Sequence, residues 1–355
     1  MKINSIKAEL KHFPLTRPYT IAYKTQTDVQ MVILKVELDN GIIGLGCASP
    51  SEPVTGESIQ DSYLALSEQN LAMLHHRDIN NLKSMSENYL KKLQTTPAAC
   101  AALDMALHDA YAQLLKKPLV KVLGQVHQSL PTSITIGIKG IDETLTEAQE
   151  YVERGFTHLK IKLGLSLSED IARLQELRKH YPKVTIRVDP NQGYSLADCI
   201  ALIELAEPLN LELIEQPMKV KDTALLQQLP ESSRRLIALD ESVLSPQDAK
   251  DLLQPSPSCG IYNIKLMKCG GLIPALQIAQ IARDANLELM WGCNDESIIS
   301  IAAALHAAFA CPATRYLDLD GSLDLKQDVV EGGFIIKNGM MHITDKPGLG
   351  VTLLK

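Results

Sequence analysis

Short apolar, β-rich runs recur along most of this sequence at a nearly constant spacing, and this repeat limits the possible folds more than any other feature. From about residue 130, successive runs lie about 25 to 27 residues apart: TSITIGI, THLKIKL, VTIRVD, LELIEQP, RLIALDES, GIYNIKL, LELMWGC and RYLDLD. The segments between them carry apolar residues at i, i+3 and i+4, with Ser or Asp at expected helix N-caps. A strand and a helix alternating eight times predict a parallel (β/α)8-type barrel, a modified TIM barrel.

A doubly wound open sheet is the alternative arrangement of the same alternating elements. It fits less well, because eight evenly spaced units without a glycine-rich phosphate-binding turn are not its usual form. The repeat therefore favours the barrel.

The residues before and after the barrel follow other patterns. The N-terminal part reads as antiparallel strands, with a tight turn at Asn40-Gly41, and then as helices, with Pro97 at the first position of the last helix. The C-terminal tail reads as β again, and we expect it to return to the N-terminal region because it has no barrel strand left to form. The predicted organisation is an α+β capping domain, a barrel domain and a C-terminal segment that completes the cap, over residues 1–123, 124–322 and 323–355.

Charge and hydropathy exclude several classes of protein. The chain has 355 residues, which is enough for two domains, and its 35 Lys and Arg against 42 Asp and Glu give a net charge of −7. This balance argues against a nucleic-acid or anionic-membrane partner, since both require a basic face. No apolar run has the length of a membrane span, and the N-terminus has no signal-peptide hydrophobic region. We expect a cytoplasmic protein that forms a homo-oligomer, as symmetric assemblies are common.

The cysteines and histidines do not form a recognisable metal motif. Seven cysteines are scattered along the chain without a CxxC pair, and nine histidines are dispersed without an HExxH spacing. This is the pattern of a reducing compartment, and it predicts neither a disulfide framework nor a thiolate site. If a metal is bound, its ligands should be carboxylates.

Three successive predicted strands end in a carboxylate. Asp189, Glu215 and Asp240 follow one another at intervals of 26 and 25 residues. Each by itself could be an ordinary strand-end charge in water, but the C-terminal strand ends of such barrels meet at one mouth, where catalytic groups lie. Three carboxylates held together there repel one another unless a cation lies among them. Oxygen-only ligands with open positions suit Mg2+, with Mn2+ as a substitute.

Lysines occur on two other strands of the same predicted mouth. Lys160 and Lys162 lie two apart, on one face of the second run, and Lys265 lies on the sixth. From opposite sides they could remove a proton from one face of a substrate and return it to the other, while a metal stabilises the enediolate. A lysine base must lose ~2–3 units from its usual pKa of about 10.4. Mg2+ and the Lys160 ammonium would have that effect on Lys162; the alternative for Lys160 is a structural lysine paired with a carboxylate.

These motifs resemble a known family. KIK, DPNQG, EQP, DES and NIKLMKCGG occur here in the order found in the enolase superfamily, muconate-lactonizing subgroup. The resemblance spans essentially the whole chain, and it implies an assignment for six residues. Asp189, Glu215 and Asp240 correspond to the metal ligands, Lys162 and Lys265 to the acid/base lysines, and Lys160 to the partner that tunes Lys162. Lys268 competes with Lys265, and we place it in the turn after the strand.

The eighth run distinguishes members of that subgroup. LDLDG is similar to the Asp-x-Asp of dipeptide epimerases, in which the pair binds the free ammonium of the substrate. Asp318 and Asp320 would have this role here, with a structural loop-capping pair as the alternative. The implied activity is Mg2+-dependent epimerisation at the α-carbon of the C-terminal residue of a dipeptide, by two-lysine 1,1-proton transfer. Other reactions on this scaffold are muconate cycloisomerisation, o-succinylbenzoate synthesis and N-acylamino acid racemisation, and a non-catalytic metal-binding protein is a further alternative.

Substrate preference should depend on the cap and on two strand ends. By resemblance, the cap closes the site with loops at residues 16–27 and 50–58. Lys24 stands where acidic-dipeptide epimerases have an arginine, so it keeps the charge and loses the bidentate fork. The polar stretch after the seventh run is expected to line the pocket for the N-terminal residue. The remaining candidate substrate-binding residues are Thr135, Cys293 and Asp295.

Overall fold

The N-terminal part of the chain forms a three-stranded antiparallel sheet. The structure, a computed structural model, describes residues 1–21 and 24–354, and for residues 19–21 and 24 it describes the backbone alone. The strands β1 (Ile3–Ile21), β2 (Lys24–Leu38) and β3 (Ile43–Ala48) lie in the order β1-β2-β3. The predicted turn at Asn40-Gly41 joins β2 to β3, where Gly41 has a positive φ of 82° and donates its N–H to Leu38 O at 3.0 Å.

Helices cover one face of this sheet. They are α1 (Glu52–Thr55), α2 (Ile59–Ala65), α3 (Leu82–Lys92), α4 (Pro97–Leu114) and α5 (Leu119–Leu123), with 3-10 turns at Ala72–Leu74 and Ile79–Asn81. Pro97 opens α4, as predicted. The backbones of α4 and β3 pack directly against each other. A Cβ on Gly44 would lie 2.0 Å from Ala106 O, and a Cβ on Gly46 would lie 1.8 Å from Ala102 O. Only glycine permits this approach.

The eight predicted strands form the barrel. In chain order, β5 to β12 are parallel neighbours in one eight-stranded sheet. Their bounds, after the short β4 (Leu130–Pro131), are β5 (Ile134–Ile136), β6 (His158–Lys162), β7 (Thr185–Asp189), β8 (Leu211–Glu215), β9 (Ile237–Leu239), β10 (Ile261–Ile264), β11 (Glu288–Gly292) and β12 (Thr314–Asp318). The first and last strands meet at a parallel bridge between Thr132 and Leu317, so the sheet closes.

Helical segments follow each of the first seven barrel strands. They are α6 (Ile141–Glu153), α7 (Leu167–His180), α8 (Leu196–Glu204), the 3-10 helix Val220–Gln228, α9 (Glu231–Arg234), α10 (Pro246–Asp251), α11 (Leu266–Cys269), α12 (Leu272–Asp284) and α13 (Ile298–Ala310). In the described chain no helix follows β12, so the prediction of eight strand–helix units is wrong for the last one. The sequence there, DGSLDLKQDVVEGG, has no helical period, and α5, which precedes the barrel, packs against α13.

The C-terminal tail makes its strands mainly with itself. Its strands are β13 (Val330–Gly332), β14 (Phe334–Lys337), β15 (Met340–Ile343) and β16 (Val351–Leu353). β13 pairs with β16, and β14 pairs with β15, which also pairs with β4 beside the barrel. The tail contacts the cap in two regions. Residues 324–326 pair with residues 14–16 of β1, and residues 348–349 hydrogen-bond Lys117, Leu119 and Asp109, the last through Leu349 N to Asp109 Oδ1 at 2.8 Å. The domain boundaries themselves stay a prediction.

The two ends of the barrel interior differ in polarity. Toward the N-terminal strand ends the interior contains an apolar cluster of Leu213, Ala238, Ile261, Met290 and Tyr316, with the Arg187 guanidinium over the Tyr316 ring. Toward the C-terminal strand ends it is filled by charged side chains, and the cap lies over that mouth. None of the described helices is both long enough and apolar enough to cross a membrane.

Candidate active site

Three buried carboxylates lie at the C-terminal ends of neighbouring strands. Asp189 is the last residue of β7, Glu215 the last of β8, and Asp240 follows β9 directly. All three are at most 1% exposed. Their strands are adjacent in the sheet, so the structure brings together the side chains that the sequence spacing singled out.

Lysine ammonium groups lie among these carboxylates. Lys160 Nζ is 2.7 Å from Glu215 Oε2 and 3.1 Å from Asp189 Oδ2. Lys162 Nζ donates to the same Asp189 oxygen at 2.6 Å. On the other side of the cluster, Lys265 Nζ is 2.7 Å from Asp240 Oδ2. Lys160 therefore has the carboxylate partners that the structural alternative proposed, and it also shares an oxygen with Lys162.

The charges of this cluster shift its protonation equilibria in both directions. Burial alone would raise the pKa of Asp189, but Lys162 and Lys160 outweigh burial and lower the pKa to about 2. Burial and the neighbouring Asp189 raise the pKa of Glu215 to about 8. For Lys265, burial lowers the pKa, but the attraction of Asp240 and Glu215 is stronger, and the net shift is upward. A lysine base requires the opposite shift, so the carboxylate charge around Lys265 must be neutralised before it can accept a proton near neutral pH.

Lys268 lies below the cavity and not in it. Its Nζ donates to Asp240 Oδ1 at 2.5 Å, to the Asp240 backbone oxygen and to Asn263 O at 3.1 Å. Its side chain is fully buried. Lys265, in contrast, lines the cavity. The geometry thus separates a lysine that can reach a substrate from one that holds Asp240.

The donor set suits a hard divalent cation. In this structure no three described His, Cys, Asp or Glu side chains are arranged as metal ligands, since lysines pair with the carboxylates. The cluster nevertheless has buried oxygens that accept no hydrogen bond of normal geometry, although Lys160 lies close to one of them. They are Glu215 Oε2, Glu241 Oε2, Asn191 Oδ1 and Asn263 Oδ1. Buried oxygens without donors, beside three carboxylates, fit the ligand chemistry of Mg2+.

The predicted substrate-binding residues line the same cavity, between cap and barrel. Asp320 Oδ2 accepts the backbone N–H of Thr135 at 2.7 Å. Cys293 Sγ donates to Asp318 O and accepts from Gly321 N, both at 3.3 Å, so it braces the segment that carries the two aspartates. Asp295 lines the cavity as well. The side chain of Lys24 lies outside the described residues.

Sequence reasoning missed several residues of the cavity wall. Asp324 and Glu147 line it, as does Arg17 of β1, whose guanidinium is 3.8 Å from Glu147 Oε1. Burial and the nearby Asp320 raise the pKa of Asp324 to about 8. Their positions after strand ends would have indicated Glu241, which follows Asp240 directly, and Asn191, which lies two residues after Asp189. No comparable signal marks the other three, since they come from the cap hairpin, from α6 and from the loop after β12.

Two family profiles match the chain. Residues 5–124 match the mandelate racemase / muconate lactonizing enzyme N-terminal domain, and residues 143–355 match the enolase C-terminal domain-like family. The chain therefore belongs to the mandelate racemase and muconate-lactonizing branch of the enolase superfamily. This confirms the resemblance inferred from the strand-end motifs, and with it the barrel and N-terminal cap.

Individual relatives are similar over the whole chain. The chain is 51% identical over 352 residues to the L-Lys-D/L-Arg epimerase of Methylococcus capsulatus, covering 99% of both. It is 34% identical over 355 residues to the L-Ala-D/L-Glu epimerase of Bacillus subtilis, covering 99% of this chain and 97% of the relative. The crystal structure of the Methylococcus capsulatus dipeptide epimerase, complexed with Mg and L-Arg-D-Lys, matches with a TM-score of 0.98 at 51% identity over 99% of this chain and 100% of that chain.

Proposed function

We propose that this protein is a Mg2+-dependent dipeptide epimerase that inverts the α-carbon of the C-terminal residue. One observation carries the proposal: Lys162 and Lys265 stand four strands apart in a closed eight-stranded barrel, so they face one cavity from opposite sides. The three carboxylates belong to the strands between them. This arrangement places a proton donor or acceptor on each face of a substrate held at the carboxylates.

Each lysine has a defined task in this reaction. One takes the α-proton from one face as a neutral amine, and the other donates a proton to the opposite face as an ammonium. Gly292, at the end of β11, leaves room for the Lys265 side chain, because a Cβ at position 292 would lie 3.1 Å from Lys265 Cε. Lys268 holds Asp240 and does not reach the substrate.

Asp189, Glu215 and Asp240 are the residues that would hold the metal. When bound, Mg2+ would neutralise these carboxylates, anchor the substrate carboxylate and stabilise the negative charge that develops as the α-proton leaves. Neutralisation also removes the attraction that raises the pKa of Lys265.

The cavity favours substrates with positive charge. Two of its lining carboxylates, those of Asp320 and Asp324, form no ion pair with a described residue. The α-ammonium of a dipeptide needs only one of them, so the other suits a cationic side chain. The relative that is 51% identical acts on Lys and Arg dipeptides. We therefore propose Lys- or Arg-containing dipeptides as the substrate class, in preference to Ala-Glu, whose side chain this wall would repel.

Exchange of the α-proton with solvent tests the proposal directly. The purified protein is incubated with Mg2+ in D2O and separate L,L-dipeptides, Lys-Arg, Ala-Glu and Ala-Ala among them, with EDTA as the control. We expect a one-dalton gain on the cationic dipeptides that EDTA abolishes. A gain on Ala-Glu alone would contradict the substrate class. Absence of a gain on every dipeptide would contradict the function.

We also infer a cytoplasmic homo-oligomer. All seven cysteines are free, which suits a reducing compartment. Closed symmetric assemblies are common among enzymes of this size. Sedimentation in solution tests the oligomer, and a monomer at micromolar concentration would contradict it.

A further inference from the structure

A buried arginine crosses the interior of the barrel beneath the active site. Arg187, on β7 two residues before Asp189, is 1% exposed. Its Nη1 donates to Leu317 O at 2.5 Å and to Ser133 Oγ at 3.1 Å, and its Nε donates to Glu212 Oε2 at 2.6 Å. The guanidinium thus reaches from β7 to the point where β5 and β12 close the barrel. The assigned chemistry does not use it.

The hydrogen bonds of the Ser133 hydroxyl can be arranged in only one way. A guanidinium can only donate, so the Ser133 hydroxyl must accept from Arg187 and direct its single hydrogen elsewhere. Two acceptors are within reach, Asp318 Oδ1 at 2.7 Å and Leu317 O at 3.3 Å. The carbonyl already accepts from Arg187 and from Ser133 N, at 3.0 Å for the latter. The hydroxyl therefore donates to the carboxylate, which is the shorter and charge-assisted bond.

Asp318 is consequently held at both oxygens. Ser133 Oγ bonds Oδ1, and Lys160 Nζ bonds Oδ2 at 2.7 Å. Lys160 in turn contacts Asp189 Oδ2, the oxygen that Lys162 bonds. A chain of contacts thus leads from the barrel interior to the proposed catalytic lysine.

Asp320 is bound in a different way. Its Oδ2 accepts the Thr135 N–H, and no ammonium or guanidinium among the described residues forms an ion pair with it. Both aspartates line the cavity. A cation that entered the cavity would find Asp318 already paired with an ammonium, which it shares with Asp189 and Glu215, and Asp320 without one.

We propose that Arg187 and Ser133 are positioning residues that fix Asp318 as the counter-ion of Lys160, and that Asp320 is the main ligand of the substrate ammonium. The inference rests on the proposed epimerase function. It divides the Asp-x-Asp pair into an internal carboxylate, which acts on the lysines, and an external one, which acts on the substrate.

Ser133→Ala tests the positioning role with the smallest change. It removes the hydroxyl and leaves the backbone bond from Ser133 N to Leu317 O, so barrel closure is preserved. We expect kcat to fall about 10- to 100-fold, the effect of losing a hydrogen bond to a charged group, with KM and the melting midpoint nearly unchanged. Ser133→Thr restores the hydroxyl and should recover most of kcat. Asp320→Asn should instead raise KM about 10- to 100-fold, with a smaller effect on kcat.

A double-mutant cycle decides whether Ser133 acts through Asp318. If it does, Ser133→Ala should add little to the loss in Asp318→Asn. Wild-type turnover of the dipeptide that the exchange experiment identifies is the reference. Absence of turnover on every dipeptide would refute the epimerase function and the inference that depends on it. With the wild type active, three results would overturn the positioning role: full activity in Ser133→Ala, independent effects in the double mutant, or a loss that follows thermal destabilisation and that Thr does not restore. Equal KM effects of Asp318→Asn and Asp320→Asn would overturn the division between the two aspartates.

Discussion

The aspartates on two walls of the cavity are in opposite electrostatic states. On the wall formed by β6 to β10, Asp189 and Asp240 are ion-paired with lysines, and their pKa values are lowered because the lysines outweigh the effect of burial. On the wall formed by the loop after β12, Asp320 and Asp324 line the cavity and form no ion pair with any described residue. Burial and neighbouring carboxylates raise their pKa values to about 6 and about 8.

The difference separates chemistry from recognition. The first wall carries its own cations, so the lysines and carboxylates hold one another in place before any substrate binds. The second wall has carboxylates without cations of their own, and a cationic ligand would favour their ionised form. Substitutions on the first wall should therefore change turnover, and substitutions on the second should change which dipeptide is used.

Removal of a lysine from the first wall should have the largest effect. Lys162→Ala is expected to reduce epimerisation in both directions about 10²- to 10⁴-fold, the range for loss of a general acid or base. Exchange of the α-proton of one epimer should survive through Lys265, which NMR in D2O can follow. Lys179→Ala, an exposed lysine on α7, is the control. Normal epimerisation in Lys162→Ala would remove the basis for the two-lysine mechanism.

Replacement of a carboxylate on the second wall by a neutral residue should have a moderate and substrate-selective effect on kcat/KM. Asp324→Asn is expected to lower kcat/KM for a Lys-containing dipeptide about tenfold, as for a partly buried charge pair. For Ala-Ala the value should stay unchanged, because that side chain carries no charge. Asp284→Asn, at the exposed end of α12, is the matched control. Equal losses on both dipeptides would mean that Asp324 supports the fold and does not select substrates.

The smallest expected effect is on the pH dependence of stability, to which Asp324 of the second wall should contribute. The folded protein holds a proton on Asp324 up to about pH 8, whereas the unfolded chain releases it near the usual pKa of about 4. Between these values the folded state binds more protons, so the free energy of unfolding falls as pH rises. Asp324→Asn lacks this contribution, and its melting midpoint should decline less between pH 5 and 8. Parallel curves for the two proteins would show that Asp324 is ionised throughout.

The sequence could predict the first wall far better than the second. Asp189, Glu215 and Asp240 were recognisable because buried charge at regular strand ends is costly without a shared partner. The strands themselves followed from their period, and only the helix after β12 failed, where the sequence has no helical pattern. The pairing of Lys160 with three carboxylates could be expected only as an alternative, since it depends on which strands face each other across the barrel.

The second wall depends on contacts that no local pattern encodes. Glu147, which lies close to Asp324 of this wall, belongs to an ordinary amphipathic helix, and its carboxylate faces the cavity only because α6 packs outside β5 and near Arg17. Asp324 lies in a loop whose path is set by a bridge between Leu325 and Leu15 of the cap. Similarly, Arg187 reads in sequence as one more charge in a strand, and only the closed barrel brings it to Ser133.

The opposition of Lys162 and Lys265 also bears on the direction of the reaction. With one acid/base group on each face, the protein can accept either epimer, and like any catalyst it cannot alter the equilibrium between the two diastereomers. Those diastereomers have the same bonds, so their ratio at equilibrium stays near one. The direction of net conversion is then set by whichever reactions supply one epimer and consume the other, and not by this barrel.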